Sequence, residues 1–114
     1  MIKITFYKTK DGFQEVKLTG HAGFADAGYD IVCAAVSSQV ISIENSLHHL
    51  LGIEVQTQVN EVEGGYLHLK LPDNLSKQVT KEAQLLLRHL DFALEVLADN
   101  YPEFIQIKRK NLNL

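Results

Sequence analysis

Two periodicities of apolar residues constrain what this 114-residue chain can fold into. Five segments alternate apolar and polar residues, as β-strands with one buried face do: IKITFYK, FQEVKLTG, IEVQTQVNEV, YLHLKL and EFIQIKR. Asp11 and Gly12 separate the first two segments, and Gly64 and Gly65 separate the third from the fourth. Such residues favour tight turns between antiparallel strands. The pattern therefore predicts two β-hairpins and a final single strand.

Two other segments carry apolar residues at the three- and four-residue spacing of an amphipathic helix. We predict that Asp30 is the N-cap of the first helix and that Gly52 ends it. Asn74 or Ser76 is predicted to cap the second helix, which Pro102 stops. The apolar stripes are Val32, Val36, Val40, Ile43, Leu47, Leu50 and Leu51 in the first helix, and Val79, Ala83, Leu86, Leu90, Leu94, Leu97 and Tyr101 in the second.

The predicted element order is β-β-α-β-β-α-β, which indicates an α+β fold. Hairpins interleaved with two amphipathic helices favour both helices packed on a mostly antiparallel or mixed sheet. Apolar residues make up 46% of the chain, enough for one hydrophobic core. The sequence contains no repeat or linker, so residues 1–114 are predicted to form a single domain.

Charge and cysteine content narrow the classes of partner and compartment. The formal net charge is −3, which argues against nucleic acid as a partner. The basic run Lys108, Arg109 and Lys110 is interpreted as a solvated strand end rather than an RNA contact. One cysteine cannot form an internal disulfide, and no apolar run approaches the roughly 20 residues of a membrane helix. With no N-terminal signal visible, we expect a cytoplasmic protein with no membrane partner.

Cys33, the single cysteine, follows Asp30 closely. If Asp30 caps the helix, Cys33 lies in the first turn, near unpaired backbone N–H groups and the positive end of the helix dipole. Such surroundings favour the thiolate, lowering a cysteine pKa from about 8.5 to roughly 3.5–7.5, and can hold an oxyanion. His21 ends the second predicted strand and can serve as the base that takes the thiol proton. Cys33 and His21 are therefore candidates for the nucleophile and the general acid–base of a cysteine hydrolase.

The neighbouring residues supply candidates for supporting roles. Asp30 can either orient His21 or only cap the helix. Ser37 follows Cys33 by four residues, so it shares a helix face with the sulfur. The glycine-rich segment from Gly20 to Asp30 is predicted to be a mobile loop. In this hypothesis, Gly23 and Gly28 let the loop cover the cysteine and then move away from it.

Other interpretations of the same residues remain open at this point. A lone cysteine in a helix is often only a small buried hydrophobe. His21, Asp30 and Cys33 are possible zinc ligands, although zinc usually takes four. An exposed thiol of low pKa is also suited to redox sensing.

The segment GHAGFADAGYDIVCAAVS, residues 20–37, closely resembles the signature of the ribosomal-processing cysteine proteases of Firmicutes and related bacteria. Its matching positions are Gly20, His21 and Ala22, followed by residues 30–37, and the resemblance extends over the whole chain. It implies an endopeptidase with a Cys33–His21 dyad and no cofactor. The implied substrate is a large-subunit ribosomal protein precursor with a short N-terminal extension, cut after a hydrophobic stretch ending in aromatic residues.

The resemblance also implies a homodimer. The main rival hypothesis is a non-enzymatic dimeric module that binds the ribosome or assists its assembly, with Cys33 merely buried.

Overall fold

The structure of the chain, a computed structural model, describes residues 1–20, 27–60 and 66–112. The order β-β-α-β-β-α-β is confirmed. The strands are β1 (Ile2–Thr9), β2 (Gly12–Thr19), β3 (Gln56–Asn60), β4 (Tyr66–Lys70) and β5 (Ile105–Asn111); the helices are α1 (Ala27–Leu51) and α2 (Lys77–Asn100). The strands form one mixed sheet in the order β3-β4-β2-β1-β5. Only the β1–β5 pair in this described sheet is parallel.

The core lies on one face of the sheet. Ile2, Ile4 and Phe6 of β1 are fully buried, and their neighbours along the strand face the other way. A bulge after Tyr7 shifts the register of β2, and Phe13 packs against Phe6 with ring centroids 5.2 Å apart. Both helices complete this core and contact each other. Their buried residues include Val32, Val36, Val40, Ile43 and Leu47 of α1, and Ala83, Leu87, Leu90 and Leu94 of α2.

The helix ends match the predicted signals in three of four places. Gly52 has φ +65°, and its N–H donates to the His48 carbonyl at 3.0 Å at the end of α1. The Ser76 hydroxyl accepts from the Val79 N–H at 3.2 Å and caps α2, which ends at Asn100, before Pro102. Two residues of the predicted apolar stripes, Leu50 and Tyr101, are exposed, whereas Leu51 packs against the core as predicted.

The predicted start of α1 is wrong. The helix begins at Ala27, so Asp30 is its fourth residue and not its N-cap. Aspartate is favoured in the first turn as well as at the N-cap, because in both places it faces the positive end of the helix dipole. The sequence pattern alone does not separate these two positions. Residues 27–30, predicted to be loop, are helical.

We expect Phe6→Ala to lower the free energy of unfolding by about 3–5 kcal/mol, because it empties a fully buried site between the sheet and the helices. Urea denaturation followed by circular dichroism measures this. Lys3→Ala, at an exposed position on the same strand, is the control and is expected to change stability by less than about 0.5 kcal/mol. Equal losses for the two variants would contradict this placement of the core.

Candidate active site

Cys33 lies on the inner face of α1. It is the seventh residue of the helix, its relative exposure is 7%, and it belongs to the hydrophobic core together with Val32 and Val36. In an α-helix only the first four N–H groups lack a partner in the helix. The N–H of Cys33 is therefore within the helical ladder, and the prediction that it lies among unpaired first-turn amides is wrong. The cause is the earlier start of α1.

Ser37 lies one turn beyond Cys33 on α1, about 6 Å along the helix axis. Its side chain is half-buried, whereas Ile31 and Ala34 are exposed. Cys33 and Ser37 thus lie on the same side of the helix, as the four-residue spacing predicts. A hydroxyl at this distance is suited to a polar contact with a group held at the sulfur.

Gly20 follows the last residue of β2 and directly precedes His21. Its φ is +79°, a conformation that side chains other than glycine rarely adopt, and a Cβ there would overlap the carbonyl oxygen of Met1. The chain at this point therefore passes against the start of β1. His21 and Gly23 lie outside the described residues, so their positions relative to Cys33 stay predictions.

The prediction of a gating loop needs correction at its second glycine. Gly28 is the second residue of α1, so it does not belong to a loop. Its neighbours Ala27, Tyr29 and Asp30 are helical as well. Helix formation here is compatible with one glycine, which costs about 1 kcal/mol relative to alanine.

We expect Gly20→Ala to lower the free energy of unfolding by about 2–3 kcal/mol, from backbone strain together with the overlap with Met1. Gly52→Ala is a matched control, because Gly52 also has positive φ but no atom lies within 4 Å of its added Cβ. Its expected loss is about 1 kcal/mol, from strain alone. Thermal and urea unfolding of both variants measures the difference. A loss at Gly52 equal to that at Gly20 would show that the approach to Met1 contributes nothing.

The remaining histidines lie away from the inner face of α1. His48 and His49 at the end of α1 and His89 on α2 are exposed. His68 lies on the face of β4 opposite Leu67 and Leu69, and its Nε2 is 2.6 Å from the Glu15 carboxylate. The sequence did not reveal this pair, since it depends on the pairing of β2 with β4.

Metal ligands and membrane-spanning helices can be assessed within residues 1–20, 27–60 and 66–112. These ranges contain no group of three or more histidine, cysteine, aspartate or glutamate side chains placed to hold a metal ion. No helix among the described residues combines the length and apolar character needed to cross a membrane.

The sequence profile of the cysteine protease Prp family matches residues 1–106. The chain belongs to this family. It is 32% identical over 108 residues to the ribosomal processing cysteine protease Prp of Bacillus subtilis (strain 168), covering 94% of this chain and 96% of that protein. It is 28% identical to the protein of the same name from Staphylococcus aureus (strain Mu50 / ATCC 700699), covering 84% and 86% of the two chains.

Solved structures agree with the fold. A crystal structure of SMU.848 from Streptococcus mutans superposes with a TM-score of 0.89 at 37% identity, covering 98% of this chain and 96% of that one. The essential ribosomal processing protease Prp from S. aureus, in complex with a substrate peptide, gives a TM-score of 0.77 at 26% identity. That match covers 96% of this chain and all of the other. A further structure of the S. aureus protease holds a covalently linked product peptide.

Membership in the Prp family decides between the two main hypotheses from the sequence. The chain is a cysteine peptidase, and the prediction of an enzyme rather than a non-enzymatic binding module is confirmed.

Proposed function

We propose that Cys33 is the nucleophile of this peptidase. The observation that carries the proposal is that the chain has one cysteine and belongs to a family of cysteine proteases. A cysteine protease needs a thiolate to attack the scissile carbonyl, and no second thiol is present in the sequence to supply it. The half-buried Ser37 one turn away is proposed to hydrogen-bond the sulfur, the substrate or a water molecule.

His21 is proposed as the general base and acid. It takes the thiol proton as the sulfur bonds to the substrate carbonyl carbon, then donates a proton to the leaving amine when the peptide bond breaks. The product of this step is a thioester between Cys33 and the N-terminal fragment. Water then attacks the thioester carbonyl, and His21 accepts the proton of the water. The carbon–sulfur bond breaks, which regenerates the Cys33 thiolate and releases the N-terminal fragment as a carboxylate. Gly20, directly before His21, and Asp30 are proposed to position this imidazole.

The proposed substrate is the N-terminal extension of a large-subunit ribosomal protein precursor, cut after a hydrophobic stretch that ends in aromatic residues. The names of the Bacillus and Staphylococcus relatives, ribosomal processing cysteine proteases, support this assignment. The substrate and product peptides bound to the S. aureus protease support a peptide substrate for this fold. The reaction as proposed needs no cofactor.

A cytoplasmic homodimer is the proposed working form. Leu85, Phe92 and Val96 are exposed on α2, with 61%, 69% and 42% of their surfaces accessible. Their spacing of seven and four residues puts them on one side of the helix. Apolar side chains aligned in this way favour burial against a second protein surface.

Intact-mass spectrometry tests the proposed substrate. The enzyme is incubated with a precursor ribosomal protein carrying its N-terminal extension, beside a matched protein that starts at the mature N-terminus. We expect the precursor to lose one defined N-terminal peptide and the mature form to stay intact. Cleavage at many sites, or equal cleavage of both proteins, would contradict the proposed specificity.

A further inference from the structure

The face of the sheet opposite the helices is covered by lysines. On β1 the residues that alternate with buried Ile2, Ile4 and Phe6 point away from the core, and the same alternation holds on β2, β4 and β5. Strand pairing brings these residues into adjacent rows. The lysines on this face, which we call the lysine face, are Lys3, Lys17, Lys70, Lys108 and Lys110.

The strands as the structure describes them place one carboxylate on this face. Among the described residues of these strands, Glu15 is the carboxylate on the lysine face, and it contacts His68 at 2.6 Å. Arg109 points to the other side of β5 and binds Asp91 and Glu95 of α2. The basic run 108–110 is therefore divided, with two lysines on the open face and the arginine held against α2.

The lysine face extends over four paired strands. Lys17 and Lys108 flank Thr5 in one row, so they are separated by two strand spacings, about 10 Å. A depression of about 210 Å³ lies here, and Lys3, Lys17, Lys108 and Lys110 line it together with Tyr7. A chain of net charge −3 thus gathers positive charge on one surface. A concentrated positive surface of this kind attracts polyanions.

We propose that the lysine face binds the phosphate backbone of single-stranded nucleic acid without sequence specificity. Lysines spread over neighbouring strands suit a row of phosphates, and the half-buried Tyr7 among them offers a ring on which a base can stack. A second copy of the chain is a poor occupant, because a two-fold interface presents the same patch from both sides and would oppose lysine to lysine. The expectation of no nucleic-acid partner rested on net charge, which does not report where the charges lie.

Fluorescence anisotropy with labelled 20-nucleotide oligouridine and oligothymidine tests the proposal on the full chain. We expect dissociation constants of about 10⁻⁴–10⁻⁶ M, similar for the two probes because phosphates make the contacts. With five lysines engaged, raising the salt concentration from 50 to 200 mM is expected to weaken binding about 100-fold. The triple variant K3Q/K108Q/K110Q is expected to bind roughly tenfold or more weakly at 50 mM salt and to lose only about sevenfold over the same salt range.

The matched control is K10Q/K77Q/K81Q, which removes the same charge from exposed positions outside the lysine face. It is expected to retain binding within about threefold of the unmodified chain, and both triple variants are expected to cleave a free substrate peptide normally. Oligonucleotide binding and peptide cleavage are therefore independent measurements, and failure of one does not imply failure of the other. Equal weakening by the two triple variants, or no binding of either probe at 50 mM salt, would overturn it. Tighter binding of polyglutamate than of both oligonucleotides, or a change of oligomeric state confined to K3Q/K108Q/K110Q, would also overturn it.

Discussion

Cys33→Ala is expected to abolish peptide cleavage while the chain keeps its fold. The thiolate is the only sulfur nucleophile the sequence can supply, and removal of a covalent nucleophile costs on the order of 10⁴-fold or more in kcat. Cys33→Ser is expected to be almost as inactive, because a serine hydroxyl ionises far less readily than a thiol. The measurement is the rate of cleavage of a precursor-extension peptide, with circular dichroism to check the fold.

Val36→Ala separates loss of the nucleophile from damage to the helix. Val36 is fully buried one turn after Cys33, and its truncation is expected to cost about 1–3 kcal/mol of stability. At temperatures below its unfolding midpoint, this variant is expected to cleave at a rate within a few fold of that of the unmodified enzyme. Cleavage by Cys33→Ala within tenfold of normal would refute the assignment, as would equal loss of activity in Val36→Ala.

His21→Ala is expected to lower kcat by about 10²–10⁴-fold, the usual contribution of a general acid–base. The same change is expected to slow alkylation of Cys33 by iodoacetamide near neutral pH, because the imidazole no longer takes the thiol proton. Both rates are measurable on the same preparation, by peptide cleavage and by intact mass. Added free imidazole is expected to restore part of the cleavage rate, which a purely structural role of His21 would not explain.

His89→Ala is the matched control for the loss of a histidine. His89 is exposed on α2, so this variant is expected to keep its cleavage and alkylation rates within about twofold. If His21→Ala retained normal kcat and normal alkylation, the dyad would be wrong, and another group would have to activate Cys33.

The periods of the apolar residues predicted most of the fold. Apolar residues alternate every two positions in a strand and recur every three to four positions in a helix, because one face of each element is buried. The residues of that face are close together in the sequence, so the pattern is visible without the fold. The helix ends at Gly52 and Ser76 were predictable for a similar reason. Gly52 ends α1 through its own positive φ, and the Ser76 hydroxyl caps α2 by accepting a hydrogen bond from an N–H three residues later. Asp30 misled because the same carboxylate is favourable at the N-cap and in the first turn.

Some features of the candidate site were likewise predictable from the sequence, and others were not. Residue chemistry and a contiguous motif made Cys33 and His21 candidates without knowledge of the fold. The requirement for glycine at position 20 was not, because it comes from the approach of the Met1 carbonyl, nineteen positions away in the sequence. The sequence likewise placed Cys33 in the first helical turn, whereas α1 begins at Ala27 and Cys33 is buried in the second turn.

The sequence by itself determined the element order, the core-facing residues of most elements and the residues able to carry thiol chemistry. Only the tertiary structure decided which distant residues meet: β4 beside β2, His68 beside Glu15, and the lysines of four strands on one face. The physical reason is that periodicity records whether a side chain is buried, whereas strand order and register depend on pairings between segments far apart in the chain. Net charge is a sum over the whole sequence, so it could not indicate the lysine face, which forms only when the strands pair.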